Sequence, residues 1–381
     1  MHIAWIGKKS PFCGNVTYSR EVTNALLDRG HQVSFLHFAQ GESDPDNWPD
    51  CLEVSLPFLY KSQVYTIPTL KATKVLSQSL RRLKPDLVHA SLTLSPLDFL
   101  LPEICAELNL PLIATFHTPF AGKHAKLLKS GTQLLAYQLY SPFLVNYDRV
   151  IVFSQVQRDL LARLGVPARN VAVIPNGVDV EKYSPGPSNL KAQLQAQRLF
   201  IYQGRLAPEK NVEALLRSWK QAQMGPDSKL LILGDGPLMP SLEPFYGPEY
   251  GIKWLGAVAD ENQRIQILRG ADVFILPSLV EGLSLSLLEA MACGLACLAT
   301  DVGADGEVLE KGAGVLLSPR RVVSQLRTLL PLLQDHPELI TLLGQKSRQR
   351  VLERYTLRDN INQLERLYTQ VLQQRRVGVE C

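Results

Sequence analysis

Long hydrophobic runs are missing from this sequence: no window approaches about 18 uninterrupted apolar residues, so no membrane-spanning helix is expected. Cysteine is sparse. Six residues in a chain of 381, at no framework spacing, point to free thiols in a reducing compartment. Cys293 and Cys297 stand four apart, but no second Cys or His pair lies near them, so a zinc-ligand spacing is lacking. Strong charge of either sign is lacking as well. A net charge of +4 is too small to argue for nucleic acid. There is no Walker A lysine pattern, and "LGDGPLM" fails as a dinucleotide fingerprint because Met239 occupies the third glycine position. The acidic pair Asp44 and Asp46 sits in a polar loop far from a strand end and reads as a solvated turn, not a metal clamp. Neither a metal nor a cofactor is therefore expected. The opening "MHIAWIGKKSPF" lacks a long apolar core after a basic start and reads as a first strand rather than a signal peptide, so the chain is expected to stay in the cytosol.

What is present is apolar material in a regular alternation. At 46% hydrophobic residues the chain can build two globular cores. "HIAWI", "HQVSFLHF", "DLVHA", "PLIATF" and "RVIVF" are short apolar runs, each followed by a helical or loop segment. "RLFIYQG", "SKLLILG", "IKWLG", "ADVFILP" and "ACLAT" form a second series. Repeated βα units imply an α/β fold of two doubly wound parallel sheets covered by helices on both faces. Between the series lies "PNGVDVEKYSPGPSNLKAQ", rich in Pro, Gly and Asn. The expected organisation is a first domain at 1–178, a linker at 179–196, a second domain at 197–355 and a terminal helix at 356–381 that returns to the first. Two such domains facing each other would bring their strand ends around one cleft, and ligands of doubly wound sheets bind beyond those ends.

The sharpest feature is "EGLSLSLLE", whose two acids bracket an apolar stretch opening with glycine. On one continuous helix, eight steps of about 100° would turn Glu289 roughly 80° from Glu281, a poor shared face. Gly282 makes a break the cheaper reading. With the strand-like "ADVFILPSLV" before it and the helix-forming "LSLLEAMACG" after it, the order is strand, turn, helix. Glu281 then lies in the turn and Glu289 in the helix, with Gly282, Leu283, Ser284 and Leu285 supplying unpaired backbone N–H groups for an anion between them. A polyol joined through phosphate to another polyol fits that layout.

Other candidates also follow strands. Gly7 and Gly14 flank a loop entering a helix that should start near Val16, and a glycine there lets a phosphate approach the backbone. His117 follows "PLIATF", although an isolated histidine is more often a hydrogen-bonded structural residue. In "GRLAPEKN", Arg205 and Lys210 put two cations near a helix N-terminus, where they oppose the macrodipole unless an anion joins them. That mismatch favours a phosphate, which an Arg fork and a Lys charge suit.

Taken together, the glycine loop at 7–15, "PNGVD" at 175–179, "GRLAPEK" at 204–210 and "EGLSLSLLEAMACG" at 281–294 resemble the retaining GT-B glycosyltransferases of family 4 over nearly the whole chain. The resemblance implies that Glu289 binds the ribose hydroxyls of a nucleotide, Glu281 the hydroxyls of the transferred sugar, Arg205 and Lys210 the diphosphate, and that His117 lies beside sugar and acceptor. The chain departs from the family pattern at Leu283 and Ser284, where Phe-Gly is frequent, at Cys13, which precedes a lone Gly14, and at Ala304 and Asp305, where a glycine pair is frequent.

The N-terminal stretch also looks similar to the cyanobacterial-type digalactosyldiacylglycerol synthases of that family. This implies UDP-galactose as donor substrate and a membrane glycolipid as acceptor. Residues 61–84 agree: Lys61, Lys71, Lys74, Arg81, Arg82 and Lys84 occur with no acid, and Lys123, Lys126 and Lys129 adjoin "LLAYQLY". Such a face could dock on an anionic lipid surface, giving a peripheral protein on the cytoplasmic side of a membrane. Two rivals are a family 4 enzyme using a UDP- or GDP-sugar with a soluble sugar, sugar-phosphate or polysaccharide acceptor, and a non-catalytic nucleotide-sugar binding protein.

Overall fold

The computed structural model describes residues 1–379 apart from 11, 12, 39–47, 49, 63, 64, 93 and 121–130; Asp44, Asp46, Lys123, Lys126 and Lys129 lie outside the described residues. The chain divides into two compact units: Met1–Thr118, Gly131–Pro175 and Arg358–Cys381 form the first, Pro119–Ser130 and Asn176–Leu357 the second.

The first unit contains β1 (His2–Gly7), α1 (Gly14–Asp28), β2 (Gln32–His37), β3 (Leu52–Ser55), the hairpin strands β4 (Phe58–Lys61) and β5 (Thr66–Pro68), α2 (Lys71–Leu83), β6 (Leu87–Ser91), α3 (Pro96–Glu107), β7 (Leu112–Thr115), α4 (Gly131–Leu144), β8 (Arg149–Val152), α5 (Gln155–Arg163) and β9 (Val171–Val173). Its sheet runs β3-β2-β1-β6-β7-β8-β9, parallel throughout. The strands are continuous apolar runs because both faces are covered; Ile3, Trp5, Phe35, Val88 and Ile113 are fully buried. The antiparallel pair β4 and β5 stands apart from that sheet.

The second unit contains α6 (Leu190–Leu194), β10 (Arg198–Gln203), α7 (Val212–Ala222), β11 (Ser228–Leu233), α8 (Met239–Leu242), β12 (Ile252–Gly256), α9 (Glu261–Gly270), β13 (Val273–Leu276), α10 (Leu285–Ala292), β14 (Ala296–Thr300), α11 (Asp305–Val308), β15 (Val315–Leu317), α12 (Val322–Asp335) and α13 (Pro337–Arg354). Its order is β12-β11-β10-β13-β14-β15, again parallel. All ten apolar runs read from the sequence are strands. The short β3, β4, β5, β9 and β15 lack such runs and were not legible.

The segment read as a linker is fastened along the second unit. Arg348 donates to the carbonyls of Val180 and Tyr183 at 3.1 and 2.8 Å, and the Tyr183 hydroxyl donates to Glu261 at 2.9 Å. The last helix, α14 (Leu357–Val379), bonds to the first unit: Glu365 pairs with Arg29 at the end of α1 at 2.7 Å, and Arg375 with Asp148 just before β8 at 2.9 Å.

Candidate functional site

In each sheet the strand order reverses beside the first strand of its unit, at β1/β6 in one and β10/β13 in the other. Loops leaving two such strands diverge to opposite faces, which opens a crevice beyond their carboxyl ends. In the second unit the loop after β10 carries Arg205 and Lys210, and the loop after β13 carries Glu281.

The strand, turn, helix reading of 271–294 holds. Glu281 sits in the turn, bridged through its carbonyl to the Phe120 N–H at 2.9 Å, and α10 begins at Leu285. Ser284 is its N-cap and accepts the Leu287 N–H at 3.3 Å. The Ser284 N–H, expected to meet a phosphate, is committed elsewhere: it donates to Asp305 Oδ1 at 3.0 Å. The first-turn N–H groups of Leu285 and Ser286 are the donors that the cap does not use.

Glu281 is 7% exposed. Its Oε1 accepts Lys210 Nζ at 2.6 Å and Ser278 Oγ at 2.7 Å. Arg205 pairs with Glu209. The two cations read as lacking a counter-charge thus each hold a protein carboxylate. With each cation held by a carboxylate, the helix macrodipole no longer calls for a phosphate; what favours a ligand here is two cations and an acid gathered at the switch point. Glu289, within α10, accepts Gln203 Nε2 at 2.6 Å on its Oε2.

The turn is clamped by 303–305. Gly303 has φ +57°, and a Cβ there would run into the backbone of Glu281 and Gly282. The Ala304 N–H donates to the Gly282 carbonyl at 2.7 Å. Asp305 is fully buried; burial first, and the Glu281 carboxylate second, hold its carboxyl well above the usual carboxylate range. Asn176, from the "PNGVD" stretch, donates to the Leu283 carbonyl at 3.2 Å. The glycines of "LGDGPLM" serve the opposite wall: at φ +136° Gly234 lies against Gly204, and the Leu206 N–H donates to the Asp235 carbonyl at 2.9 Å, fixing the loop that bears Arg205.

In the first unit, α1 starts at Gly14, two residues before the expected Val16, with Cys13 as its extended N-cap. A Cβ on Gly14 would meet nothing within 4 Å, so the position is open. His117 follows β7 and bonds Ser91 Oγ through Nε2 at 2.8 Å, while Ser91 Oγ donates to Asn15 Oδ1 at 2.7 Å. Its ring meets Tyr18 edge-on, centroids 4.9 Å apart. Burial, with Lys8 second, pushes the imidazole down to about 3, so His117 is neutral at pH 7. Beneath it, fully buried His89 bonds Tyr368 Oη at 2.5 Å and Thr115 Oγ1 at 2.7 Å. Sequence reading missed His89, which lies inside an apolar run with no local signal of a partner 279 residues away.

The basic stretch is partly as expected. Lys71, Lys74, Arg81, Arg82 and Lys84 are exposed, whereas half-buried Lys61 bonds Ser10. Leu59, Tyr60, Tyr65, Ile67 and Leu70 add exposed apolar surface next to them. In α4, Leu135, Leu139 and Phe143 are exposed, but Tyr137 and Tyr140 are core residues that bond the Thr118 carbonyl and Asp98. Among the described residues no helix is long and apolar enough to cross a membrane.

Two doubly wound units with these strand orders have the GT-B glycosyltransferase architecture. The solved structure of Anabaena Alr3699/HepE in complex with UDP shares it, with a TM-score of 0.75 at 19% identity over 97% of this chain and 100% of that one. Residues 13–182 match the family model described as Glycosyltransferase Family 4, and residues 197–335 the one described as Glycosyl transferases group 1. The chain belongs to the family 4 glycosyltransferases. It is 28% identical over 316 residues, 79% of this chain and 80% of the other, to the UDP-Gal:alpha-D-GlcNAc-diphosphoundecaprenol alpha-1,3-galactosyltransferase of Escherichia coli. It is 24% identical over 385 residues, 96% of each chain, to the N-acetyl-alpha-D-glucosaminyl L-malate synthase of Bacillus anthracis.

Proposed function

We propose that this protein transfers a hexose, galactose from UDP-galactose, to a hydroxyl of a membrane glycolipid, with retention and without a metal ion. The observation that carries the reading is the pairing of Lys210 with Glu281 at the β10/β13 switch point, with Glu289 on the adjoining helix. Glu281 would hold the sugar hydroxyls and Glu289 the ribose. Arg205, Lys210 and the first N–H groups of α10 would take the charge that develops on the departing diphosphate, the kind of electrostatic term that usually dominates. The acceptor hydroxyl attacks from the face the nucleotide leaves, and the departing phosphate oxygen removes its proton. No protein nucleophile is assigned.

The acceptor would lie with the first unit, whose strand ends offer neutral hydrogen-bonding groups suited to a sugar hydroxyl, His117 among them. Monogalactosyldiacylglycerol is the proposed acceptor. A lipid-linked substrate is supported by the name of the Escherichia coli relative, which acts on a diphosphoundecaprenol carrier, and by the exposed cations of α2 beside the apolar hairpin. That surface would dock the protein peripherally on an anionic membrane, with up to about 1 kcal/mol per basic residue near the lipid. The second reading, a soluble acceptor, is favoured by the Bacillus anthracis relative, whose name gives L-malate.

The test is release of UDP from UDP-galactose and UDP-glucose, and of GDP from GDP-mannose, with vesicles containing monogalactosyldiacylglycerol and with vesicles lacking it. Release that requires both UDP-galactose and the glycolipid supports the reading. Release only with a soluble sugar acceptor discards the lipid. Binding of UDP-sugar with no release under any acceptor discards catalysis.

A further inference from the structure

We infer that Gln203 is a positioning residue that makes the site selective for ribonucleotides, acting with Glu289 as one ribose-reading pair. The inference rests on the donor reading above. Gln203 ends β10, is 9% exposed, and reaches across to α10, where its Nε2 donates to Glu289 Oε2 at 2.6 Å. The length is that of a charge-assisted bond. An ionised carboxylate only accepts, so the amide nitrogen must face it and the amide cannot be flipped.

The other end of the same amide then has to be Oε1, and this acceptor is buried with no hydrogen-bond partner among the described residues. A buried acceptor left unsatisfied is costly, and such groups call for a specific explanation. Here the explanation is a donor that arrives with the ligand. A ribose hydroxyl is a donor, two adjacent ones can address a carboxylate and an amide oxygen held side by side, and the crevice at the β10/β13 reversal is where a ligand would enter. Gln203 thus does two things at once: it fixes the rotamer of Glu289 from the strand side and offers a second acceptor to the ribose. An aliphatic residue at this strand end could do neither.

The test is calorimetric binding of UDP, 2′-deoxy-UDP and 3′-deoxy-UDP to the full chain and to its Gln203→Met and Gln203→Asn variants, with GDP and ADP as further probes. In the natural protein, removing at least one hydroxyl should cost about tenfold in affinity. Gln203→Met, which keeps the volume, should lose about tenfold for UDP and should no longer distinguish UDP from the deoxy nucleotide. Gln203→Asn, a shorter amide, should behave the same way and serves if the methionine variant melts early. The inference is overturned if a folded variant binds UDP as the natural protein does, or if it loses the same factor for UDP and for both deoxy nucleotides. A natural protein that binds none of the nucleotides overturns the donor reading, and the inference with it, so the two failures are told apart.

Discussion

At the switch point of the second unit the side chains are charged and paired, Lys210 with Glu281 and Arg205 with Glu209. At the strand ends of the first unit the groups hydrogen-bonded with His117 are neutral, Ser91 and Asn15 in a chain with Tyr18 packed on the ring, and the one cation acting on it, Lys8, does so without a hydrogen bond to the ring. The architecture is the same in both. What differs is the chemistry set on it, and the difference follows from the ligands each unit would meet. A diphosphate leaving group needs fixed charge in a partly dry site, whereas an acceptor hydroxyl needs neutral donors and acceptors that do not compete for its proton. The carboxylates that hold the cations in place also keep them from pointing idly into solvent, so the second unit is charged but locally balanced.

The largest way to break this comparison is to neutralise the second unit. Glu281→Gln and Lys210→Met should each lower transfer by about 100- to 1,000-fold, read by steady-state UDP release, while circular dichroism stays native. His117→Asn in the first unit should cost about tenfold, because only hydrogen bonding and no charge is lost. Next in size is Gly303→Val. A β-branched residue at φ +57° with backbone against its Cβ should destabilise the second unit by about 3 kcal/mol or more, read as a lowered denaturant midpoint, with nucleotide affinity lost in parallel.

A smaller effect sharpens the first unit's side of the contrast. Burial, and His117 second, push the His89 imidazole down to about 3, below its usual 6.5. In this window the unfolded chain binds a proton that the native state refuses. Stability is therefore complete above about pH 6.5 and falls as the pH drops toward 3, by up to about 1.4 kcal/mol per pH unit for this group. Denaturant titrations between pH 7 and 5 should show the decline, and His89→Gln should remove about half of it, buried His117 supplying a similar share. If stability were level over that range, the buried neutral network would be misassigned. The smallest effect concerns the surface. Reversing Lys71, Lys74, Arg81 and Arg82 to Glu should reduce sedimentation with anionic vesicles, with UDP affinity unchanged; equal sedimentation would remove the membrane role of α2.

The parts of this architecture that were legible in the sequence were those with a local signature. Ten strands show as apolar runs, and the turn between Glu281 and Glu289 shows as a glycine between a strand pattern and a helix pattern. The unread parts depend on distant partners. β3, β9 and β15 are three or four residues long and owe their strand form to neighbours in the sheet. The Glu209 and Glu281 partners of the two cations could not be assigned from spacing alone, so the basic loop looked electrostatically incomplete when it is not. In the sequence Asp305 shows only as a departure from a glycine pair; that it holds the Ser284 N–H depends on the fold bringing β14 beside β13. Gln203 gave no signal at all, because a polar residue at a strand end is ordinary until its partner on α10 is known.

Glu289 and Glu281 are proposed to hold the two ends of one nucleotide sugar. Calorimetric titration of UDP and of UDP-galactose into Glu289→Ala and Glu281→Ala tests this directly. Glu289→Ala should weaken both ligands by a similar factor, while Glu281→Ala should leave UDP affinity nearly unchanged and remove only the increment contributed by the sugar. Equal losses of UDP in both variants, or a loss in neither, would contradict these two roles.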